Sequence, residues 1–134
     1  MPIDNFLYGY VAKEEKYDEG EVIIQEGSRG DWVFLILQGR VKVKKSIYKR
    51  TVTIAKLIEG DIFGEMILLQ SGKGTRSARV VADTYVKVGV LDTRRLINEY
   101  ESISPRLKNL ISSLAQRLEH TTNEAARLAI ELDE

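Results

Sequence analysis

The sequence contains no cysteine, a single histidine and no long apolar run. Without cysteine there is no disulfide framework and no thiolate metal site, which is compatible with a reducing compartment. No apolar stretch approaches the roughly 18 residues that a membrane span needs, and the amino terminus lacks the basic start and apolar run of a signal peptide. The 20 basic and 20 acidic residues cancel, so the overall charge attracts neither nucleic acid nor an anionic membrane. A cytoplasmic protein is expected, with neither a membrane nor a nucleic-acid partner.

The length and the composition are those of one ordinary globular domain. The chain has 134 residues, of which 43% are hydrophobic and 30% are charged. We expect a single domain over residues 1–134. It divides into a helical lead-in over residues 1–16, a β-roll over 17–92 and C-terminal helices over 93–134.

Short strands separated by glycine-containing turns are predicted between about residues 17 and 91. The predicted strands cover residues 22–24, 32–37, 41–44, 52–55, 78–82 and 85–90. Many short strands at close spacing favour an all-β barrel or roll over a parallel, doubly wound sheet.

The pattern becomes helical from about residue 93. A helix over about residues 105–132 would be about 40 Å long, with Pro105 in its first turn and Ser102 or Ser104 as its cap. Its repeat averages close to the 3.5-residue spacing of a coiled-coil seam. Either the helix packs lengthwise on the roll, or it pairs with a second copy of the chain; the repeat favours a homodimer. The seam consists of Leu107, Ile111, Leu114, Leu118, Thr121 or Thr122, Ala125, Leu128 and Leu132.

Two short motifs carry the functional chemistry. Gly-Asp-Ile-Phe-Gly-Glu-Met occupies residues 60–66, and Thr-Arg-Ser-Ala occupies residues 75–78. Glycines let backbone amides approach a ligand, the Glu65 carboxylate can accept from sugar hydroxyls, and the Arg76 guanidinium can bind a phosphate bidentately. A cyclic phosphodiester with a free 2′-hydroxyl needs that set of groups. The alternatives are a surface ion pair for Arg76 and a helix cap for Glu65.

The sequence resembles the cyclic nucleotide-binding domain family. Residues 20–43 (GEVIIQEGSRGDWVFLILQGRVKV) are similar to the opening half of that domain, and residues 60–65 with 76–78 are similar to its phosphate-binding cassette. The resemblance extends from about residue 15 to residue 92. It implies a mainly β fold with flanking helices, in which an eight-stranded antiparallel β-roll of the jelly-roll, double-stranded β-helix type holds the nucleotide.

The same resemblance implies a set of ligand-binding residues. Glu65 would accept a hydrogen bond from the ribose 2′-hydroxyl, and Arg76 would pair with the phosphate oxygens. Ser77 would add a hydroxyl donor. The backbone amides around Gly64, Glu65 and Met66 would complete the phosphate site.

The helical tail is similar to the dimer helix of catabolite activator protein-type regulators. Residues 117–124 (RLEHTTNE), followed by Leu-Ala at 128–129, carry this likeness. It implies that Thr121 bonds the adenine amino group within one subunit and that Thr122 reaches the ligand of the partner subunit. Arg117 would bridge toward Glu65. The expected ligand is cAMP, with cGMP as the second candidate, and no DNA-binding domain is expected in this chain.

Three features depart from the family pattern. Ile67 stands where many nucleotide binders have a small residue, and Thr75 stands where many have proline. The segment over residues 70–74 lengthens the loop between Glu65 and Arg76. These departures sustain a second interpretation, in which the chain is a ligand-free member of the fold that acts as a dimerising interaction module.

Catalysis and nucleic-acid binding are not expected. His120 is the only histidine, so a metal site with two histidines and a carboxylate cannot form within one chain, and no nucleophile–base pair is recognisable. We therefore expect neither a metal nor a cofactor and no enzyme activity. A basic cluster between residues 42 and 50 is interpreted as the solvated face of a strand and its hairpin tip. Its members are Lys42, Lys44, Lys45, Lys49 and Arg50.

Overall fold

The secondary structure is one helical turn, a series of short strands and then two longer helices. The computed structural model describes residues 5–28, 30, 32–65, 76 and 78–133. Its elements are α1 (Asn5–Tyr8), β1 (Val11–Tyr17), β2 (Val22–Ile24), β3 (Val33–Gln38), β4 (Val41–Ile47), β5 (Arg50–Leu57), β6 (Ile62–Phe63), β7 (Arg79–Ala82), β8 (Val86–Leu91), α2 (Thr93–Glu101) and α3 (Pro105–Asp133).

The eight strands form two four-stranded sheets. One sheet has the order β1-β8-β3-β6 and the other has the order β2-β7-β4-β5. Every pairing between neighbouring strands is antiparallel. The predicted eight-stranded antiparallel β-roll followed by a long C-terminal helix is therefore confirmed.

Strand β3 is buried on both of its faces, which explains its unbroken apolar run. Successive side chains of a strand point to opposite faces. Phe34 and Ile36 belong to the core cluster between the sheets, where the Phe34 ring stacks on Phe63 with centroids 5.0 Å apart. Leu35 belongs to a second cluster, which is extended by Leu7 of the α1 segment and Leu96 of α2. The helices therefore cover the outer face of one sheet.

The amino-terminal segment differs from the prediction. A helical lead-in was expected over residues 1–16, whereas the described part has a single helical turn followed by strand β1, antiparallel to β8. Ala, Lys and Glu in this segment favour a helix locally, but tertiary packing overrides that preference. Val11 packs directly over Gly89, where an added Cβ would lie 2.8 Å from the Val11 Cγ2 atom.

The helices begin at side-chain caps. The Asp92 carboxylate accepts a hydrogen bond from the Arg95 amide at 3.1 Å at the start of α2. Ser104 Oγ accepts from the Leu107 amide at 3.2 Å at the start of α3, with Pro105 as the first helical residue. The expected proline and serine start is thus confirmed, with Ser104 as the cap.

Helix α3 packs against β4 and β5. Two small or apolar residues of its C-terminal half, Ala126 and Ile130, are buried. Arg127 hydrogen-bonds to both Glu124 and Glu131 on the helix surface, and its bond to Glu124 lowers the pKa of that carboxyl. No helix among the described residues is long and apolar enough to cross a membrane.

Candidate functional site: a cavity between the roll and the long helix

The backbone of Arg76 is attached to the loop that joins β2 to β3. The Arg76 amide donates to the Ser28 carbonyl at 2.8 Å, and the Arg76 carbonyl accepts from the Gly27 amide at 2.8 Å. These two bonds tie the arginine to a segment almost fifty positions earlier in the sequence. The guanidinium therefore starts from a fixed position on the roll.

The Arg76 side chain is buried and bonded to backbone carbonyls. Its residue is only 9% exposed. Nη1 donates to the Gly64 carbonyl at 3.1 Å, and Nη2 donates to the Trp32 carbonyl at 2.7 Å. A guanidinium remains charged when buried, and each of its terminal nitrogens carries two N–H groups. The structure thus presents an oriented cation next to the Gly64–Glu65 motif.

Gly64 is required at its position for conformation as well as for space. Its φ is +81°, in the left-handed region that glycine adopts at no steric cost. An added Cβ would lie 2.9 Å from the Trp32 carbonyl oxygen and 3.0 Å from the Arg76 Nη1 atom. Any side chain at this position would therefore disturb the guanidinium and its carbonyl acceptor.

A cavity of about 140 Å³ lies between the roll and α3. Its roll side includes Lys45, Ile54, Glu65 and Ala78, and its helix side includes Glu119, Thr122 and Asn123. The volume is below the roughly 300 Å³ at the small end of pockets that bury a ligand. A nucleotide would therefore need more space than the described residues leave between the two walls.

Lys45 lies on the inner side of β4, which differs from the solvated position predicted for the basic cluster. Side chains alternate along a strand, so Lys45 shares a face with Val41, which is buried, and with Val43, which packs against the core. The β4–β5 register shifts beyond Val43, and Ile54 is left without a partner residue. Counting from the buried valines would have found this inward lysine in the sequence.

The predicted phosphate and ribose residues lie close together where they are described. Arg76 bonds the carbonyl of Gly64, and Glu65, the next residue, lines the cavity. Met66 and Ser77 lie outside the described residues. The same is true of the family departures at Ile67, at Thr75 and over residues 70–74.

The predicted helix residues fall on different faces of α3. Thr122 is half-buried and lines the cavity together with Glu65. Arg117 and Thr121 are exposed. The structure therefore brings Thr122, but neither Arg117 nor Thr121, to the cavity wall that belongs to its own chain.

A stripe of exposed leucines runs along α3 beside the cavity, and one of its members, Leu118, also lines the cavity. At 3.6 residues per turn its members fall within an arc of about 80°. Ile111 of the predicted seam is half-buried, and Leu110 is exposed beside it. The exposed fraction of these leucines ranges from 46% at Leu107 to 88% at Leu132. The leucine stripe consists of Leu107, Leu110, Leu114, Leu118, Leu128 and Leu132.

Two groups that sequence reasoning missed are now apparent. Between β2 and β3, Gly27 and Ser28 bond the backbone of Arg76 and the Trp32 carbonyl accepts from its side chain, while the inner face of β4 supplies Lys45 to the cavity. The glycine pair at positions 27 and 30 was the only local signal of that loop. Among the described residues, no group of three or more His, Cys, Asp or Glu side chains is arranged to hold a metal ion.

The comparisons with known proteins agree with this geometry. The sequence profile of the cyclic nucleotide-binding domain matches residues 14–102. A cGMP-dependent protein kinase of Caenorhabditis elegans, egl-4, is 38% identical over 99 residues, which cover 69% of this chain and 12% of the kinase. This chain therefore spans about an eighth of that relative.

Solved structures share the fold over most of the chain. The cAMP-bound form of the EAL enzyme Bd1971 superposes with a TM-score of 0.76 at 27% identity, covering 90% of this chain and 32% of the enzyme. The catabolite activator protein of Thermus thermophilus superposes with a TM-score of 0.68 at 29% identity, covering 93% of this chain and 58% of that protein. The resemblance drawn from the sequence is confirmed.

Proposed function

This chain belongs to the cyclic nucleotide-binding domain family, and we propose that it is a regulatory module that binds cAMP between its β-roll and α3, with cGMP as the second candidate ligand. The observation that carries the proposal is the buried Arg76, which two backbone carbonyls orient beside the Glu65 cavity. The likeness to a cAMP-bound structure and to a cGMP-dependent kinase supports it. The proposed compartment is the cytoplasm, which the cysteine-free composition is compatible with.

The phosphate and the ribose would bind where the Glu65 wall of the cavity adjoins Gly64 and Arg76. Arg76 would donate to the phosphate oxygens, because its planar fork matches two acceptors. Glu65 would accept from the ribose 2′-hydroxyl. The amides of Gly64 and Met66 and the hydroxyl of Ser77 complete the proposed set.

The base would lie against α3. We propose that Thr121 and Thr122 exchange the roles that the family resemblance implies for them. Thr122 lines the cavity of its own chain, so it is the residue proposed to bond the adenine edge within the subunit. Thr121 is exposed beside the leucine stripe, where it would reach the ligand of a partner subunit. Arg117 is exposed as well and does not line the cavity of its own chain, so its bridge toward Glu65 is proposed from the family likeness alone.

Binding would be read out through α3. The helix forms one wall of a cavity that the described residues leave too small for a nucleotide, and the leucine stripe reaches that wall at Leu118. We propose that the stripe pairs two copies of the chain as a homodimer. A ligand that binds one arrangement of the helices more tightly shifts the population toward that arrangement, to the extent of its differential affinity.

The proposed role is binding without catalysis. Hydrolysis of a cyclic phosphodiester needs a water activated by a metal or by a general base. The cavity wall combines the apolar side chains of Ile54, Ala78, Ala115 and Leu118 with an ammonium, carboxylates, a hydroxyl and an amide, and the role proposed for these groups is recognition of a sugar and a base.

Calorimetric titration with cAMP and with cGMP tests the proposal. We expect saturable binding by the wild-type chain and a loss of about 10- to 100-fold in affinity for Arg76→Lys, since a hydrogen bond to a charged group contributes about 1.5–3 kcal/mol. The matched control is Arg79→Lys on β7, which should bind as the wild type does. Heats no larger than dilution with both nucleotides would refute the proposed function.

A further inference from the structure

Gly30 lies directly against the guanidinium of Arg76. A Cβ added at Gly30 would be 3.1 Å from Nη2, 3.2 Å from Nε and 3.5 Å from Cζ of Arg76. The three nearest atoms all belong to that one charged group. The missing side chain of Gly30 is therefore what makes room for the guanidinium.

The backbone conformation of Gly30 does not itself require a glycine. Its φ lies outside the left-handed region, so other residues can adopt its conformation. Gly20 and Gly27 are the opposite case, with φ values of +91° and +81° and no atom within 4 Å of an added Cβ. A side chain at Gly30 would therefore be opposed by the neighbouring guanidinium, whereas one at Gly20 or Gly27 would be opposed only by the backbone conformation.

The guanidinium is also held by two backbone carbonyls. Nη2 bonds the Trp32 carbonyl at 2.7 Å, and Nη1 bonds the Gly64 carbonyl at 3.1 Å. An alanine at position 30 would displace the guanidinium by a few tenths of an ångström. That displacement is cheap for folding because the guanidinium is the far end of a flexible side chain, but it changes the direction of the fork.

We propose that Gly30 is a positioning residue for anion binding. Because it has no side chain, it leaves a slot against its backbone, and this slot holds the Arg76 guanidinium in the orientation that a phosphodiester requires. This inference rests on the proposed function, because the anion is the phosphate of the cyclic nucleotide. A bidentate contact depends on the direction of both N–H groups. A side chain at position 30 therefore lowers affinity while leaving the fold nearly as stable as before.

The primary experiment compares Gly30→Ala with Gly20→Ala in cAMP titrations and in thermal unfolding. We expect Gly30→Ala to weaken binding by about tenfold, close to the contribution of one charge-assisted hydrogen bond, with little change in Tm. Gly20→Ala should lower Tm through backbone strain and leave the affinity unchanged. Wild-type affinity in Gly30→Ala overturns the proposal.

A double-mutant cycle tests whether Gly30 acts through Arg76. In the Arg76→Lys background, Gly30→Ala should leave the residual cAMP affinity unchanged, because the group it positions is absent. A further tenfold loss in that background would show that Gly30 acts on something other than the guanidinium, which contradicts the proposal.

A ligand-free measurement separates this inference from the proposed function. The Arg76 Nε–H resonance in a ¹H–¹⁵N spectrum of the unliganded protein should move in Gly30→Ala and stay in place in Gly20→Ala. If the wild-type chain binds neither nucleotide, the proposed function fails, and the resonance alone decides whether the slot exists. An unmoved resonance in Gly30→Ala refutes the slot.

Discussion

Replacing two leucines of the stripe on α3 should separate a dimer into monomers. Leu114 and Leu118 are one helical turn apart, and they are 53% and 63% exposed. The perturbation is the double substitution Leu114→Asp, Leu118→Asp. Aspartate at both positions removes apolar area from the proposed interface and places charges where pairing would desolvate them.

The magnitude follows from the exposure of the two side chains. Fully burying a leucine contributes about 1.5–3 kcal/mol, so a half-exposed leucine still has about 1 kcal/mol to gain. A symmetric dimer contains each substitution twice, and the expected loss is about 4 kcal/mol before any charge penalty. The dimer dissociation constant should therefore rise at least about a thousandfold.

Sedimentation velocity over a wide range of protein concentrations measures this change directly. The matched control is Gln116→Asp, His120→Asp, which adds the same two charges at the same spacing on the opposite face of α3. Both control positions are exposed. We expect the control to remain dimeric wherever the wild type is dimeric.

Two results would contradict the reasoning. A wild-type chain that stays monomeric at the highest concentration, with and without nucleotide, would show that the leucine stripe does not pair copies of this chain. A leucine variant that dissociates no more readily than the control would place the interface elsewhere on the molecule.

Three smaller changes test other features. Lys45→Ala should weaken cAMP binding by about 3- to 10-fold and flatten its salt dependence, because the lysine faces the cavity; Lys44→Ala, on the other face of β4, should leave titrations unchanged. Burial and a hydrogen bond to Glu15 raise the pKa of Tyr17 to about 12 from 10.0, so its contribution to stability is complete below pH 10 and is lost as the pH rises toward about 12. Urea unfolding against pH should show that loss in the wild type and not in Tyr17→Phe. Lys49→Gly should raise the free energy of unfolding by about 0.5–1 kcal/mol, because the two-residue hairpin turn holds this lysine at a φ of 65°. An unchanged urea midpoint would argue against backbone strain at Lys49.

The buried strands could be predicted from the sequence because their pattern is local. The apolar run of β3 matches its nearly continuous burial, and the valines that flank Lys42 in β4 and Lys87 in β8 include the buried Val41, Val86 and Val88. Strand β1 could not be predicted, because its Lys and Glu residues favour a helix locally. Only its pairing with β8 makes this segment a strand. Strand β6 has two residues, too few to show any period.

The side chains of the candidate site could be predicted from the sequence, whereas the groups that support them could not. The motifs at residues 60–66 and 75–78 predict that Glu65 and Arg76 act together, but the carbonyls that orient the guanidinium come from Gly64 and from Trp32, which lies 44 positions away. Every residue has a backbone carbonyl, so the sequence does not show which carbonyls will accept from the guanidinium. Lys45 was misassigned because the basic cluster was treated as one surface, although its side chains alternate between two.

Strand β3 belongs to two hydrophobic clusters at once, one inside the roll and one beneath α1 and α2. Melting the helical cap would expose Leu35, and opening the roll would expose Ile36, its neighbour on the same backbone. The two layers therefore unfold cooperatively, and a denaturation curve should show one transition whether it is followed at α2 or in the sheet.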